Sequence, residues 1–214
     1  MEADRIEIKT VLISVAVVVV IETIVGIAAS TGAYSSILFL GTARFLEAVL
    51  IVLIVSTRES GLSPIGLAPS SIFSGLKRGL VWSTGFGIIV FLVAVVSFAG
   101  GINPIGLIHT SFPAGRSEIT PFFLIGGMIS PVAEEIFFRG IIYRFFRKWG
   151  VFTAVALSTL VFVLAHPAGS RFFLSQIVGG ILFALAYEKE GNLTVPITIH
   201  ILGNIAIFSL SLGY

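Results

Sequence analysis

Eight ionisable residues lie inside otherwise apolar segments of this 214-residue chain: Glu22, Arg44, Glu47, Glu134, Glu135, Arg139, His166 and His200. A charge in hydrocarbon is expensive, so each one is either paired for packing or kept for chemistry. The stretch SPVAEEIFFRG holds Glu134 and Glu135 side by side, with Arg139 four residues after the second. On a helix Glu135 and Arg139 share a face and can neutralise each other. Glu134 points about 100° away and has no partner on its own helix. Two carboxylates with different neighbours can divide the work of base and support. Farther on, FVLAHPAG carries Phe162 and His166 at a four-residue spacing, and ITIHILGNIAI carries His200 and Asn204 at the same spacing.

Glutamate plus histidine suits the activation of water. Glu134 would act as general base on a water held jointly with His166. His200 and Asn204 offer donors for a tetrahedral oxyanion. The same side chains also suit zinc, with Glu134, His166 and His200 as three ligands beside an open position. No cofactor is the favoured expectation and zinc the alternative; the zinc-protease pattern HExxH is absent. Other routes lack their parts. The chain has no cysteine, its one aspartate is Asp4, and no lysine lies deep in an apolar segment.

The elements that must position these residues are membrane spans. Hydrophobic residues make up 56% of the chain, charged residues only 11%, and mean hydropathy is +1.07. A soluble domain carries about a quarter charged residues. The expected fold class is therefore all-α, a polytopic integral membrane helix bundle forming a single domain over 1–214, with its motif-bearing core at about 119–212. Hydropathy marks about seven transmembrane helices, at 11–29, 36–56, 79–99, 119–143, 151–166, 171–187 and 192–212. The first has a head as acidic as it is basic and reads as a retained helix, not a signal peptide. The polar stretch before residue 79 is expected to end in a short amphipathic helix lying in the interface.

Nine Lys and Arg residues fall in alternate connections, counted from the N-terminus, against two on the other face. The expectation is a multi-pass protein of a prokaryotic plasma membrane, N-terminus cytoplasmic and C-terminus outside. The formal charge of +2 gives no argument for nucleic acid. The partners expected are the bilayer and a peptide or lipidated-protein substrate.

Spacing also predicts who meets whom. Glu134 lies sixteen residues before Gly150 and His166 sixteen after it, so a hairpin with its tip there sets both about 24 Å from the turn. His200 and Asn204 lie about 14 and 19 Å beyond Gly191, shallower unless the basic tip FFRKWG projects beyond the membrane. Pro131 cannot donate to the carbonyl of Gly127, so a kink is expected beside Glu134. Pro167 should end the fifth helix, which at about 21 Å is shorter than a bilayer core of about 30 Å. In the first hairpin, with a tip near Gly32 and Ala33, Glu22 and Arg44 share a depth and Arg44 and Glu47 share a face. This group reads as a buried ion cluster fixing helix packing, or else as a substrate-carboxylate contact through Arg44.

Glu134, Glu135 and Arg139 as EExxxR, Phe162 and His166 as FxxxH, and His200 and Asn204 as HxxxN, in this order, resemble the CAAX prenyl protease 2 family. This is the wider CPBP (CAAX protease and bacteriocin-processing) group of intramembrane endopeptidases. The resemblance implies a helical membrane protease with a cavity reaching into the bilayer. Glu134 would be the catalytic base, Glu135 and Arg139 (with Phe162) supporting residues, and His200 and Asn204 the oxyanion group. Prenylated CAAX-type C-termini are the best-defined substrates of such proteins. The competing expectation is a non-catalytic membrane protein, either a bacteriocin immunity or binding factor or a proton-coupled carrier, using the same polar cluster.

Overall fold

The computed structural model describes residues 6–31, 37–108, 110–166 and 173–213. Among them the chain is all-α, a bundle of seven helices: α1 (Ile8–Ser30), α2 (Ile37–Arg58), α3 (Ile72–Ala99), α4 (Arg116–Trp149), α5 (Val151–Leu164), α6 (Phe173–Glu190) and α7 (Thr194–Ser211). Five of these, α1, α2, α3, α4 and α7, are long and apolar enough to cross a membrane. α5 has 14 residues, and α6 has 18 but ends in Glu188, Lys189 and Glu190. The proposed tips at Gly32 and Ala33 and the breaking residue Pro167 fall outside the described residues.

α4 lies at the centre. Its Ile136, Ile141 and Tyr143 are buried with Ile51 and Val55 of α2, Ala154 of α5, and Ala184 and Tyr187 of α6. Large apolar side chains of α1 and α3, such as Val20, Ile27, Phe91 and Val96, face outward instead. That distribution is what a lipid solvent permits, because outward apolar surface costs nothing there.

Three departures from the expected elements have local causes. The short interfacial helix is instead the first two turns of α3, which is continuous from Ile72. Gly75 and Gly79 let it close on its neighbours: a Cβ there would meet the Asn192 side chain and the Thr198 Cβ, each at 2.5 Å. The expected kink at Pro131 is a change of helical register, with π-helical Ile125–Ile129 before it and π-helical Ile136–Tyr143 after Glu135. In the first π turn the Ser130 amide donates to the Ile125 carbonyl, five residues back. By that register the carbonyl that Pro131 cannot serve is that of Gly126. The Asn204 amide nitrogen of α7 donates to it at 2.9 Å. Third, α5 ends at Leu164 and His166 lies just beyond it. A residue that precedes proline, as His166 does, is steered out of helical geometry.

One end of the bundle gathers most of the basic residues. Arg147 bonds Glu188 at 2.8 Å, the Tyr187 hydroxyl donates to the Ile65 carbonyl, Asn192 donates to the Ser71 carbonyl, and the Glu7 amide donates to Glu59. These contacts bring the N-terminal segment and the α2–α3, α4–α5 and α6–α7 connections together, and with them Lys9, Arg58, Lys77, Arg78, Arg144, Arg147, Lys148 and Lys189.

Candidate active site

Three helices bring the sequence motifs to one place. Glu134 comes from the α-helical turn Ser130–Glu135 between the two π segments, His166 from the end of α5, and His200 from α7. Oε2 of Glu134 lies 3.7 Å from Nε2 of His166 and 3.8 Å from Nε2 of His200. His200 therefore reaches the depth of Glu134, the outcome expected if the basic tip projects. The Glu134 side chain is 14% exposed, so the group is accessible but mostly withdrawn from its surroundings.

The far side of each imidazole is anchored. Nδ1 of His166 lies 2.7 Å from the Phe162 carbonyl, one of the last in α5. A carbonyl only accepts, so this nitrogen carries the proton and caps the helix end. Nδ1 of His200 lies 2.8 Å from Oε1 of Glu135, and beside a carboxylate it too is the donor. In the neutral rings both Nε2 atoms are then acceptors, and both face the Glu134 carboxylate.

Glu135 and Arg139 stand behind this group. They pair at 3.1 Å with both side chains fully buried, and Nη2 of Arg139 donates to the Gly180 carbonyl at 3.1 Å. The guanidinium carbon sits 4.8 Å over the Phe162 ring and 5.3 Å over that of Phe183. Phe183 also stacks on His200 at 4.6 Å, and Phe162 contacts His166 at 4.6 Å. Phe162 is thus a wall touching the arginine and both histidines. A buried ion pair of this kind needs its remaining hydrogen bonds to be stable, and the Gly180 carbonyl supplies one.

Asn204 lies one turn beyond His200 on α7. One of its two amide protons serves the Gly126 carbonyl, which leaves the second for another acceptor. Arg44 contacts Glu22 directly and Glu47 at 2.8 Å, so the expected ion cluster of the first hairpin is present.

Residues that spacing did not single out are Gly126, Gly180 and Phe183. Gly126–Gly127 and Gly179–Gly180 are adjacent pairs within apolar segments, the small-residue signal of close helix approach. At Gly180 a Cβ would meet Thr159 Cγ2 of α5 at 2.7 Å. Phe183 carries no such mark in a chain with 19 phenylalanines. Among the described residues no group of three or more His, Asp or Glu side chains is arranged to hold a metal ion.

The comparisons with known proteins agree with the motifs. Residues 116–206 match the family described as type II CAAX prenyl endopeptidase Rce1-like, which bears out the resemblance. The membrane-embedded CAAX protease MroQ of Staphylococcus aureus (strain USA300) is 33% identical over 102 residues, 44% of this chain and 41% of its own length. YdiL of Bacillus subtilis (strain 168), whose name carries the words membrane peptidase, is 29% identical over 90 residues, 42% of this chain and 36% of its own. A 24.3 kDa protein of Escherichia coli is 24% identical over 142 residues, 63% of this chain and 65% of its own. The chain thus matches less than half the length of MroQ and YdiL. No solved structure matches.

Proposed function

We propose that the chain is an intramembrane endopeptidase in which Glu134 activates the attacking water. The observation that carries this reading is the convergence of one carboxylate oxygen and two imidazole nitrogens at 3.7 and 3.8 Å. Those separations exceed hydrogen-bond length, so a water fits between them and donates one proton to Glu134 and the other to Nε2 of the neutral His166, while His200 enters the reaction already as the imidazolium. Glu134 takes one proton as the water oxygen attacks the peptide carbonyl carbon. The developing oxyanion is met by the second amide proton of Asn204 and by Nε2 of His200, which donates in the imidazolium form. Glu134 then returns the proton to the leaving nitrogen as the C–N bond breaks. Glu135 holds His200 in orientation, and Arg139 holds Glu135.

The substrate class proposed is a prenylated CAAX-type C-terminus. Its support is the match of residues 116–206 and an apolar groove of about 360 Å³ between α2 and α4. The groove is lined by Leu38, Phe45, Leu124 and Ile129, and Ile129 is five residues before Glu134. It offers a lipid chain a lateral path at the depth of the site. The protein is proposed to lie in a prokaryotic plasma membrane with its basic end cytoplasmic.

The test is cleavage of a fluorogenic farnesylated CAAX peptide by protein in lipid, with and without a chelator of tightly bound zinc. Cleavage by the wild type that His166→Ala abolishes, and that the chelator leaves intact, is the expected result. Loss on chelation would replace glutamate-activated water with zinc held by Glu134, His166 and His200. Failure of the wild type to cleave any CAAX peptide would overturn the substrate assignment.

A further inference from the structure

A second cavity, of about 590 Å³, opens on the outer surface between α3 and α6, and none of the residues around Glu134 lines it. Its walls are chemically divided. Val81, Gly85, Phe86 and Ile89 of α3 face Leu182 of α6 across an apolar trough. From Lys77 to Ile89 the trough runs about 18 Å along the α3 axis. Trp82 and Leu182 of its wall pack in turn against the buried group of Phe183, Ala186, Val195 and Ile199.

The head of the trough is charged. Lys77, Arg78, Lys189 and Glu190 stand there, three cations to one carboxylate, at the basic end of the bundle. Glu190 is already committed: it accepts from Arg78 Nη1 at 2.9 Å and from the Trp82 indole at 3.0 Å. Among the described residues neither Lys77 nor Lys189 has a carboxylate within 4.0 Å. Each ammonium instead sits over a ring, Lys77 at 4.6 Å from Phe73 and Lys189 at 5.7 Å from Trp82.

We infer that this groove binds one anionic glycerophospholipid, its phosphate between Lys77 and Lys189 and an acyl chain along Val81, Phe86 and Leu182. Among the described residues neither lysine makes an ion pair, and the trough below them is apolar. Basic pockets between membrane helices recognise anionic headgroups on this principle. A zwitterionic headgroup brings its own cation to the same lysines and is disfavoured. Two lysines near the surface are expected to give a preference on the order of tenfold or more.

Trp82 makes the occupancy measurable, because Trp149 is the one other tryptophan of the chain. A Trp149→Phe variant is reconstituted in phosphatidylcholine vesicles with increasing fractions of brominated phosphatidylglycerol or brominated phosphatidylcholine. Brominated phosphatidylglycerol is expected to quench Trp82 at a mole fraction roughly tenfold lower. Adding Lys77→Gln and Lys189→Gln should erase that advantage while leaving the helical circular dichroism and the melting temperature unchanged. The charge-matched pair Lys9→Gln and Arg58→Gln, at the same end of the bundle, should preserve it. Equal quenching by the two lipids would overturn the site and leave the groove to ordinary bilayer lipid or a substrate chain. An equal loss of preference in the charge-matched pair would overturn it too, as the effect of overall charge.

Discussion

Nδ1 of His200 lies 2.8 Å from the buried Oε1 of Glu135, and this contact decides which face of the imidazole meets Glu134. The adjacent glutamates Glu134 and Glu135 therefore address opposite nitrogens of one ring. Position on the helix separates them: Glu134 faces Nε2 of both histidines, and Glu135 faces Arg139 and the packed interior.

Two substitutions separate the orienting role proposed for Glu135 from its role in stability. Glu135→Gln keeps the shape and one acceptor and is expected to lower kcat roughly 10- to 100-fold, with KM little changed, as loss of a group that orients a working imidazole does elsewhere. Arg139→Leu strands a buried carboxylate and should cost about 3–5 kcal/mol of stability. Steady-state kinetics and thermal unfolding in lipid read the two effects separately. Equal, minor effects from both would contradict the assignment.

Asn204 is predicted to serve two masters. Asn204→Ala leaves the Gly126 carbonyl without its donor, at about 1–3 kcal/mol. Pro131→Ala restores a backbone N–H nearby, so the double variant should be less destabilised than the sum of the singles, with a coupling of about 1 kcal/mol. If Asn204 also stabilises the oxyanion, the double variant recovers its melting temperature but not its kcat. Additive melting temperatures would remove the link between Asn204 and Pro131.

Filling the groove between α2 and α4 should act on binding. Thr42 lines it and is exposed, and Thr42→Trp places an indole where the lipid chain is proposed to lie. KM for a farnesylated peptide is expected to rise roughly tenfold, the loss of about 1.4 kcal/mol of uniform binding, with kcat unchanged. An unchanged KM would move the lipid chain to another path.

The clasp between α3 and α6 carries its own pH dependence. Glu190 is held below the ordinary glutamate range by the hydrogen bond from the Trp82 indole, against the smaller opposing effect of burial and with help from Arg78. A carboxylate whose folded pKa is depressed contributes stability that is complete above its unfolded value and is lost as pH falls through the folded one. In the Trp149→Phe variant, acid titration of Trp82 emission should therefore show a midpoint below about 4.3, the ordinary value for glutamate. A midpoint at or above it would refute the clasp.

Much of the site was legible because it rests on counting residues along regular helices. Glu134 and His166 are equidistant from Gly150, and they meet; Glu135 and Arg139 are one turn apart, and they pair. His200 joins them because Arg144–Trp149 extends α4 beyond the apolar segment into the basic end of the bundle. The π turns around Pro131 were not legible. Periodicity does not separate a five-residue register from a four-residue one over so short a span, and the deciding contact, Asn204 on Gly126, comes from a helix more than 70 residues away. The early start of α3 was hidden for a related reason: Ser74, Lys77 and Arg78 look too polar to belong to a span, while Gly75 and Gly79 fit it against residues 192 and 198.

The most direct measurement of the central claim is kcat for Glu134→Gln against wild type on the farnesylated peptide, in protein shown by thermal unfolding to be folded. Removing a general base is expected to lower kcat by about 10²- to 10⁴-fold. KM should stay near the wild-type value, because Glu134 acts on the water and not on the lipid chain. A Glu134→Gln protein that turns over at the wild-type rate would contradict the account.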